Sequence, residues 1–275
     1  MEREGIVTKV KLKMDEITPP GVDLPFDDLV GPILDECAKE VAEVAPLHLL
    51  SPISMICQST KREIDTNIAI ITFANGHPFK VGDQISVSGF IAEPSYNGDF
   101  VITAITTTSI SYALTHTDEA ETSDTTGIVT FKTIFTENKA YIVKPTDFLK
   151  LYEIRFPLWQ NTVRVTTKPG TDSGKAQDNP YLKSGIGRPS VLLQTTYPTG
   201  GSLRDYLVCG RVEAATIPSV ALYVQIPKPE ELPEQLIDSL TWLAAAKVVQ
   251  IGGRLDLAQG LNQQYQLSLT QLAKV

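Results

Sequence analysis

The sequence predicts an α+β fold: a helical bundle with antiparallel β elements, into which an all-β sandwich is inserted. Three observations indicate this class. A segment with helical periodicity covers residues 26–45, short strand-like segments recur through residues 61–140, and two more helical segments end the chain. Helices that are far apart in sequence, with strands between them, are typical of α+β folds whose helices pack together. We therefore predict a discontinuous body, residues 1–60 and 141–275, interrupted by a β module at 61–140.

The charge and the apolar pattern argue against several classes of protein. The chain has 275 residues and a net charge of −8, from 24 Lys and Arg against 32 Asp and Glu. Proteins that grip nucleic acid need clustered basic side chains, so this acidic balance argues against such a role, while it allows nucleic acid to pass by. No stretch approaches the roughly 18 apolar residues that span a bilayer, and the charged N-terminus lacks the apolar core of a signal peptide. We therefore expect no contact with a membrane.

The front helix is predicted from Phe26 to Ala45. Asp23 can cap its start and Pro46 ends it, while Pro32 allows the regular part to begin as late as that residue. Apolar side chains recur at spacings of three and four, so they share one face of the helix. These side chains are Leu29, Ile33, Cys37, Val41 and Val44.

Short strands are predicted throughout the middle of the chain. In the module they recur about every ten residues, with Asn-Gly turns at Asn75 and Asn97, and this spacing is typical of a small β-sandwich or barrel. The predicted module strands are residues 68–73, 84–88, 100–105, 109–114 and 127–131. Beyond the module, the predicted strands are residues 148–155, 162–166, 191–195, 206–209 and 221–226.

A long loop is predicted between Lys168 and Arg188. A loop of this length is uncommon in a compact domain and usually has a function. Its four basic residues stand against two aspartates, so it has a local net charge of +2 in an acidic chain. The basic residues are Lys168, Lys175, Lys183 and Arg188.

The end of the chain predicts two helices separated by Gly252-Gly253. Beyond Gly253 there are three charged residues against six Gln and Asn. A free surface helix normally carries more charge, so this face favours burial against another polypeptide, and a merely solvated polar face is the alternative. The candidate residues for an interface with other subunits or with a portal protein are Trp242, Leu261, Tyr265, Leu269 and Leu272.

The chain carries no recognisable enzyme motif. The segment 170–176 has three residues between its glycines where a phosphate-binding loop needs four, and it has Ala176 where magnesium binding needs Ser or Thr. The segment 185–187 lacks the third glycine of a dinucleotide fingerprint. We therefore predict no catalytic residue, no cofactor and no metal site. The three histidines and the three cysteines also lie outside any nucleophile or metal-ligand pattern, and the cysteines are interpreted as buried, reduced thiols: His48, His77, His116, Cys37, Cys57 and Cys209.

Two parts of the chain resemble bacteriophage proteins. Residues 75–89, with a His-containing turn, a Gly-Asp corner and a strand that ends in glycine, are followed by the hairpin sequence of residues 96–102. Together they resemble an Ig-like β-sandwich module that recurs in virion proteins. The remaining residues, 20–57 and 141–275, resemble the head–tail connector ring proteins (adaptor or tail-tubular type) of short-tailed phages, the crAss-like group in particular. The order of four features carries this second resemblance: residues 145–151, Trp159, Gly187-Arg188-Pro189 and the closing helix pair at 232–272.

The connector resemblance implies a structural virion protein, made in the host cytoplasm, that is not an enzyme. It implies a homo-oligomer, a dodecameric ring beneath the portal protein that also contacts other tail ring proteins. DNA would pass through the channel without sequence-specific binding, because an acidic wall repels phosphates. The basic loop is expected to become ordered against an acidic neighbouring subunit or ring, and a loop that stays solvated is the alternative.

A second function is left open by the sequence. The chain is alternatively a tail accessory protein that binds a receptor, a glycan or another virion protein through its β module. Exposed aromatic side chains on the module, for example Tyr96 or Tyr112, would favour this role, and so would a monomer or trimer in solution. A cell-wall hydrolase is disfavoured because no acid–base pair of carboxylates stands out.

Overall fold

The computed structural model of the protein describes residues 2–17, 27–136, 138–168, 171, 187–198 and 201–272. Within these ranges the protein is a mixed α+β structure with four α-helices and three β-sheets, one of which closes into a six-stranded barrel. The helices are α1 (Arg3–Ile17), α2 (Asp27–Val44), α3 (Glu234–Ile251) and α4 (Leu255–Leu272), with short 3-10 helices at Leu47–Leu49, Pro94–Tyr96 and Pro229–Glu231. The strands are β1 (Ile53–Ser54), β2 (Ile56–Asp65), β3 (Ile68–Phe73), β4 (Gln84–Ser88), β5 (Gly98–Ile105), β6 (Ser109–Ala113), β7 (Glu119–Ser123), β8 (Ile128–Phe131), β9 (Thr133–Thr136), β10 (Lys139–Val143), β11 (Phe148–Arg155), β12 (Thr166–Thr167), β13 (Val191–Thr196), β14 (Arg204–Gly210) and β15 (Val220–Gln225).

The chain divides into two compact units. The helical unit combines Met1–Ser51 with Gln225–Val275, and the β unit is Pro52–Val224. This division differs from the predicted one, in which residues 141–224 belonged with the helices and 61–140 stood apart. The reason is that strands on both sides of residue 140 share one continuous buried core. The insertion is therefore about twice as long as the sequence suggested.

The helical unit contains one helix that the sequence did not predict. In α1, Ile6, Val10 and Met14 are buried and recur every fourth residue, and the helix packs against α3 and α2. In α2 the helix starts at Asp27 and continues through Pro32. The late start that this proline allowed is therefore wrong, and the proposed cap at Asp23 lies outside the described residues.

The first part of the β unit is a closed barrel. The strand order is β3-β6-β5-β4-β8-β2, and β2 pairs back to β3, so six strands form a ring in which every pair is antiparallel. Strand β2 closes the ring because its first residues pair with β8 and its later residues pair with β3, and β7 adds to its edge. The strands thus form a barrel, one of the two architectures that the strand spacing predicted, and the Ig-like sandwich that the resemblance implied is not confirmed.

The residues that carried the resemblance to a phage module have structural roles in the barrel. The Asn97 side chain accepts a hydrogen bond from the Phe90 main-chain N–H at 3.0 Å and donates to the Phe90 carbonyl at 2.9 Å. It therefore fastens both ends of the connection between β4 and β5. Gly89 has φ +87°, and a Cβ at this position would lie 2.5 Å from the Thr126 carbonyl oxygen, so glycine is required where β4 ends.

The remaining strands form two sheets beside the barrel within the β unit. Their orders are β1-β15-β11 and β12-β13-β14-β10-β9. In the second sheet the pairings are antiparallel except for the short β12–β13 pairing, and β1 is antiparallel to β15 in the first. Within the predicted strand at 162–166, Val163 forms a single bridge with Ile154, and Thr166 begins the short strand β12. Asp147 ties the barrel to the first sheet, because its carboxylate binds Lys80 at 2.9 Å and accepts a hydrogen bond from the Tyr223 hydroxyl at 2.9 Å.

None of the helices in the described ranges is both long and apolar enough to cross a membrane.

Candidate functional site

The C-terminal helix α4 has one buried face. Ala258, Leu261 and Tyr265, at spacings of three and four, are buried, and α4 packs against α3. The Ser239 and Ser268 hydroxyls hydrogen-bond across these two helices at 2.7 Å. Leu261 and Tyr265 therefore belong to the chain's own core. The apolar face of α4 packs against α3, and the predicted role of these two residues at an interface with other subunits or a portal protein stays a prediction.

The opposite face of α4 is exposed and almost free of charge. Among its exposed side chains in the described range, Asp256 is the one charged group, and it lies 3.6 Å from Arg254. Two leucines are also exposed on it, Leu255 at 66% and Leu267 at 55%. We call this surface the glutamine face, after its amide side chains: Gln259, Asn262, Gln263, Gln264, Gln266 and Gln271. The predicted interface residues Leu269 and Leu272 are half-buried beside it.

The remaining predicted interface residue, Trp242, is half-buried on α3. Its indole N–H donates to Asp238 at 3.2 Å, and the Lys13 ammonium lies 3.8 Å from the ring centroid. Lys13 also lies 3.7 Å from Asp238, so the three side chains form one cluster. One face of the Trp242 ring is thus covered by α1, the helix that the sequence did not predict.

The acidic charge of the protein is concentrated in the helical unit. This unit has 16 Asp and Glu against nine Lys and Arg, a net charge of −7, whereas the β unit has 16 against 15, a net charge of −1. Basic residues of the helical unit are used between its helices. Lys247 of α3 binds Glu36 of α2 at 2.9 Å and also binds Glu40, and Arg3 of α1 binds Asp35 at 2.8 Å.

Of the basic loop, the structure describes residues 168, 171, 187 and 188. Lys168 and Arg188 are both exposed. Lys175 and Lys183 lie outside the described residues, so the predicted inter-ring role of the loop remains a proposal.

The histidines of the β unit have structural partners. The His77 Nε2 atom lies 3.1 Å from the Thr106 carbonyl and 3.0 Å from the Ser109 carbonyl, so it fastens the turn between β5 and β6. Its ring packs between Phe73 and Phe79, with centroid distances of 5.4 and 5.7 Å. Within the described ranges, no group of three or more His, Cys, Asp and Glu side chains is placed to hold a metal ion.

The three cysteines carry free thiols. Cys37 and Cys209 are buried and Cys57 is half-buried. Burial raises the pKa of the Cys37 and Cys57 thiols to about 12 and also raises the pKa of Cys209. Because the thiolate is the reactive form, these positions suit packing rather than nucleophilic chemistry.

A charged cluster on the barrel was missed by the sequence reasoning. The Arg62 guanidinium binds Glu119, donates from Nε to Asp124 at 3.1 Å, and lies 5.1 Å from the centre of the Tyr96 ring. Burial opposes ionisation of Asp124, but hydrogen bonds from Thr126 and Arg62 outweigh it, so the pKa of this carboxyl is lowered.

The aromatic residues named for a binding role of the module are not on its surface. Tyr96 and Tyr112 are both fully buried, and the Tyr112 hydroxyl donates to the Tyr96 carbonyl at 3.2 Å. These two residues therefore pack the barrel.

A pocket of about 530 Å³ lies in the β unit, between the β9–β10 hairpin and the turn that follows β14. Two non-glycine residues on its rim have left-handed backbones, Asn138 with φ +108° and Arg211 with φ +57°. Such conformations cost about 1–3 kcal/mol each and are found where the surrounding structure enforces them. The lining residues are Phe135, Thr136, Asn138, Lys139, Leu158, Arg211, Val212, Glu213 and Ala214.

Comparison of the chain with family models, with curated proteins and with solved structures found no match.

Proposed function

We propose that this protein is a self-assembling structural subunit, and more specifically a ring subunit of the head–tail connector of a short-tailed phage. The observation that carries the proposal is the glutamine face. It is a surface along the whole of α4 that is exposed in the single chain, contains two exposed leucines and has almost no charge. Moving a neutral amide out of water costs less free energy than moving a charged group, so such a face is suited to burial against another chain.

The packing of the helices supports the connector class. Helix α3 packs against α1, α2 and α4. A central helix surrounded by three others is consistent with the helical bundle that the resemblance implies. The closed barrel lends no support to an Ig-like sandwich, so the β unit enters the proposal as a decoration of the ring.

A ring requires a particular kind of contact. In a cyclic oligomer, one surface of each subunit meets a different surface of the next, and the rotation between them closes the circle. In the proposal the glutamine face is one of these two surfaces. The net charge of −7 on each helical unit would repeat around the ring, and DNA passing through an acidic channel would be repelled by its wall rather than bound. The portal protein and other tail ring proteins are the proposed partners at the two ends of the ring, and the virion is the proposed location.

Assembly of the purified protein tests the proposal directly. Mass photometry and negative-stain images are expected to show rings with a central channel. Replacing Gln263 and Gln266 by Glu places two charges on the glutamine face and should abolish the rings, while circular dichroism stays unchanged. Gln250→Glu, at an exposed position of α3, is the matched control and should assemble normally. Rings formed equally well by the doubly charged variant would remove the glutamine face from the interface.

The same measurement addresses the alternative function. A monomer or a trimer at all concentrations would contradict the ring and would favour a tail accessory protein that binds a receptor, a glycan or another virion protein through its β unit.

A further inference from the structure

The pocket between the β9–β10 hairpin and the turn after β14 combines an apolar lining with two cations. Phe135, Leu158 and Val212 provide the apolar part, and Lys139 and Arg211 provide the charge. Its volume, about 530 Å³, lies within the range of small-molecule sites. The pocket is formed entirely by the β unit, and its role does not depend on the proposed ring.

The two cations are exposed where they line the pocket. In the described part of the chain, neither Lys139 nor Arg211 forms an ion pair, although basic residues nearby in the same unit do. Lys144 binds Asp205 at 2.8 Å, and Arg164 binds Glu153 at 3.3 Å. Exposed cations without an ion-pair partner among the described residues are available for a ligand.

The turn that carries Arg211 is held in place from two sides. The Trp159 indole N–H donates to the main-chain carbonyls of Gly210 and Arg211, at 3.2 and 3.3 Å. On the other side, the Val212 N–H donates to the Asn138 carbonyl at 3.0 Å. These bonds maintain the left-handed backbone of Arg211 beside the pocket before any ligand arrives. A pre-ordered site loses less conformational entropy on binding.

We propose that this pocket binds a small organic monocarboxylate with an apolar or aromatic body. A guanidinium can hold a carboxylate with two parallel hydrogen bonds, and the ammonium of Lys139 adds a second positive charge. The apolar body would lie against Phe135, Leu158 and Val212. Glu213 also lines the pocket, and its negative charge would disfavour ligands that carry several acidic groups.

Fluorescence titration of the full-length protein with 2-naphthoate, and with its neutral analogue 2-naphthamide, tests the proposal. The carboxylate is expected to bind at least about tenfold more tightly than the amide, which corresponds to one charge-assisted hydrogen bond. Arg211→Gln should weaken binding of 2-naphthoate by about tenfold while leaving the amide unchanged. Lys139→Gln, which does not change the left-handed turn at Arg211, should also weaken the binding of 2-naphthoate.

Arg155→Gln is the matched control, because Arg155 is an exposed arginine of the same unit that does not line the pocket. Its affinity for 2-naphthoate should equal that of the unmodified protein. The proposal is overturned if neither compound binds at millimolar concentration, if both bind equally, or if the Arg211→Gln and Lys139→Gln proteins, folded by circular dichroism, keep full affinity for 2-naphthoate.

Discussion

The indole N–H of Trp159 donates a hydrogen bond to the main-chain carbonyl of Arg211, at 3.3 Å, across 52 positions of sequence. The same N–H lies 3.2 Å from the Gly210 carbonyl, and the Trp159 ring is fully buried. One buried side chain thereby fixes the turn that carries a cation of the pocket.

Trp159→Phe is therefore expected to destabilise the β unit. The change removes the donor, leaves two carbonyls without their partner and opens a small cavity, so the free energy of unfolding should fall by about 2 kcal/mol. Urea denaturation, monitored by tyrosine fluorescence, measures this change in the free energy of unfolding. Leu158→Ala, at the neighbouring position with 53% exposure, serves as the control and should cost less than about 0.5 kcal/mol. Equal losses in the two variants would contradict the structural role of the indole N–H.

The barrel cluster around Arg62 predicts a pH dependence. The pKa of Asp124 is lower in the folded protein than its ordinary value of about 4. An ionised group with a lowered pKa contributes stability that is fully present above the ordinary pKa and is lost as the pH falls through the folded value. Asp124→Asn should thus lower the free energy of unfolding by about 2 kcal/mol at pH 7, and the difference from the unmodified protein should shrink below about pH 4.

Glu63→Gln provides the comparison for this experiment. Glu63 neighbours Arg62 on β2 and is half-buried. Its replacement should change stability little at either pH. A difference between Asp124→Asn and the unmodified protein that stayed constant from pH 7 to pH 3 would show that ionisation of Asp124 is not the cause.

The raised pKa values of the thiols predict low reactivity. In the native protein at pH 8, Cys37 and Cys209 should resist alkylation by iodoacetamide for hours, because burial disfavours the thiolate and blocks access. All three cysteines should react in 8 M urea, and mass spectrometry counts the labels. Gln250→Cys introduces an exposed thiol as a positive control and should react within minutes. Rapid native labelling of Cys37 would place it at an accessible surface instead.

The boundaries of the two units predict which deletion is tolerated. Replacing residues 52–224 by a short Gly-Ser linker should leave a folded helical unit, with the circular dichroism at 222 nm expected for its four helices. Replacing only residues 64–137 should give an aggregating protein, because it removes most of the barrel and exposes the core that the remaining strands share. A folded protein after deletion of residues 64–137, together with an unfolded one after deletion of residues 52–224, would favour the predicted module at 61–140.

Local patterns predicted local elements well. The predicted strands 68–73, 84–88 and 148–155 and the last helix match β3, β4, β11 and α4 in the structure. Strand β4 alternates polar and apolar residues, β3 and β11 are rich in apolar residues that favour strands, and the last helix repeats apolar residues at spacings of three and four. Helix α1 was not predicted, because its buried apolar side chains occur only once per turn among many charged residues. Strand β2 was not predicted, because the charged residues Lys61, Arg62 and Glu63 interrupt its apolar pattern.

Long-range pairing was beyond the reach of these patterns. Closure of the barrel depends on β2, which pairs with β3, β7 and β8, and no local sequence pattern predicts such multiple pairing. The pocket joins residues 135, 136, 138 and 139 to residues 211–214, which are more than 70 positions away. The low charge of α4 could be predicted from its composition. The burial of Leu261 and Tyr265 against α3 could not, because composition does not show which helix covers an apolar face.

The pairing of β1 with β15 affects the order in which the protein can fold. Ile53 lies opposite Tyr223, so the first and last strands of the β unit are neighbours. Bringing together the ends of a flexible segment of 173 residues, from Pro52 to Val224, would cost on the order of 5 kcal/mol in chain entropy. Once the β unit has folded, this cost has already been met, and the two halves of the helical unit are held close together. Because α3 and α4 follow the β unit in the sequence, they leave the ribosome after it, and the glutamine face therefore forms on a chain whose β unit has already been made.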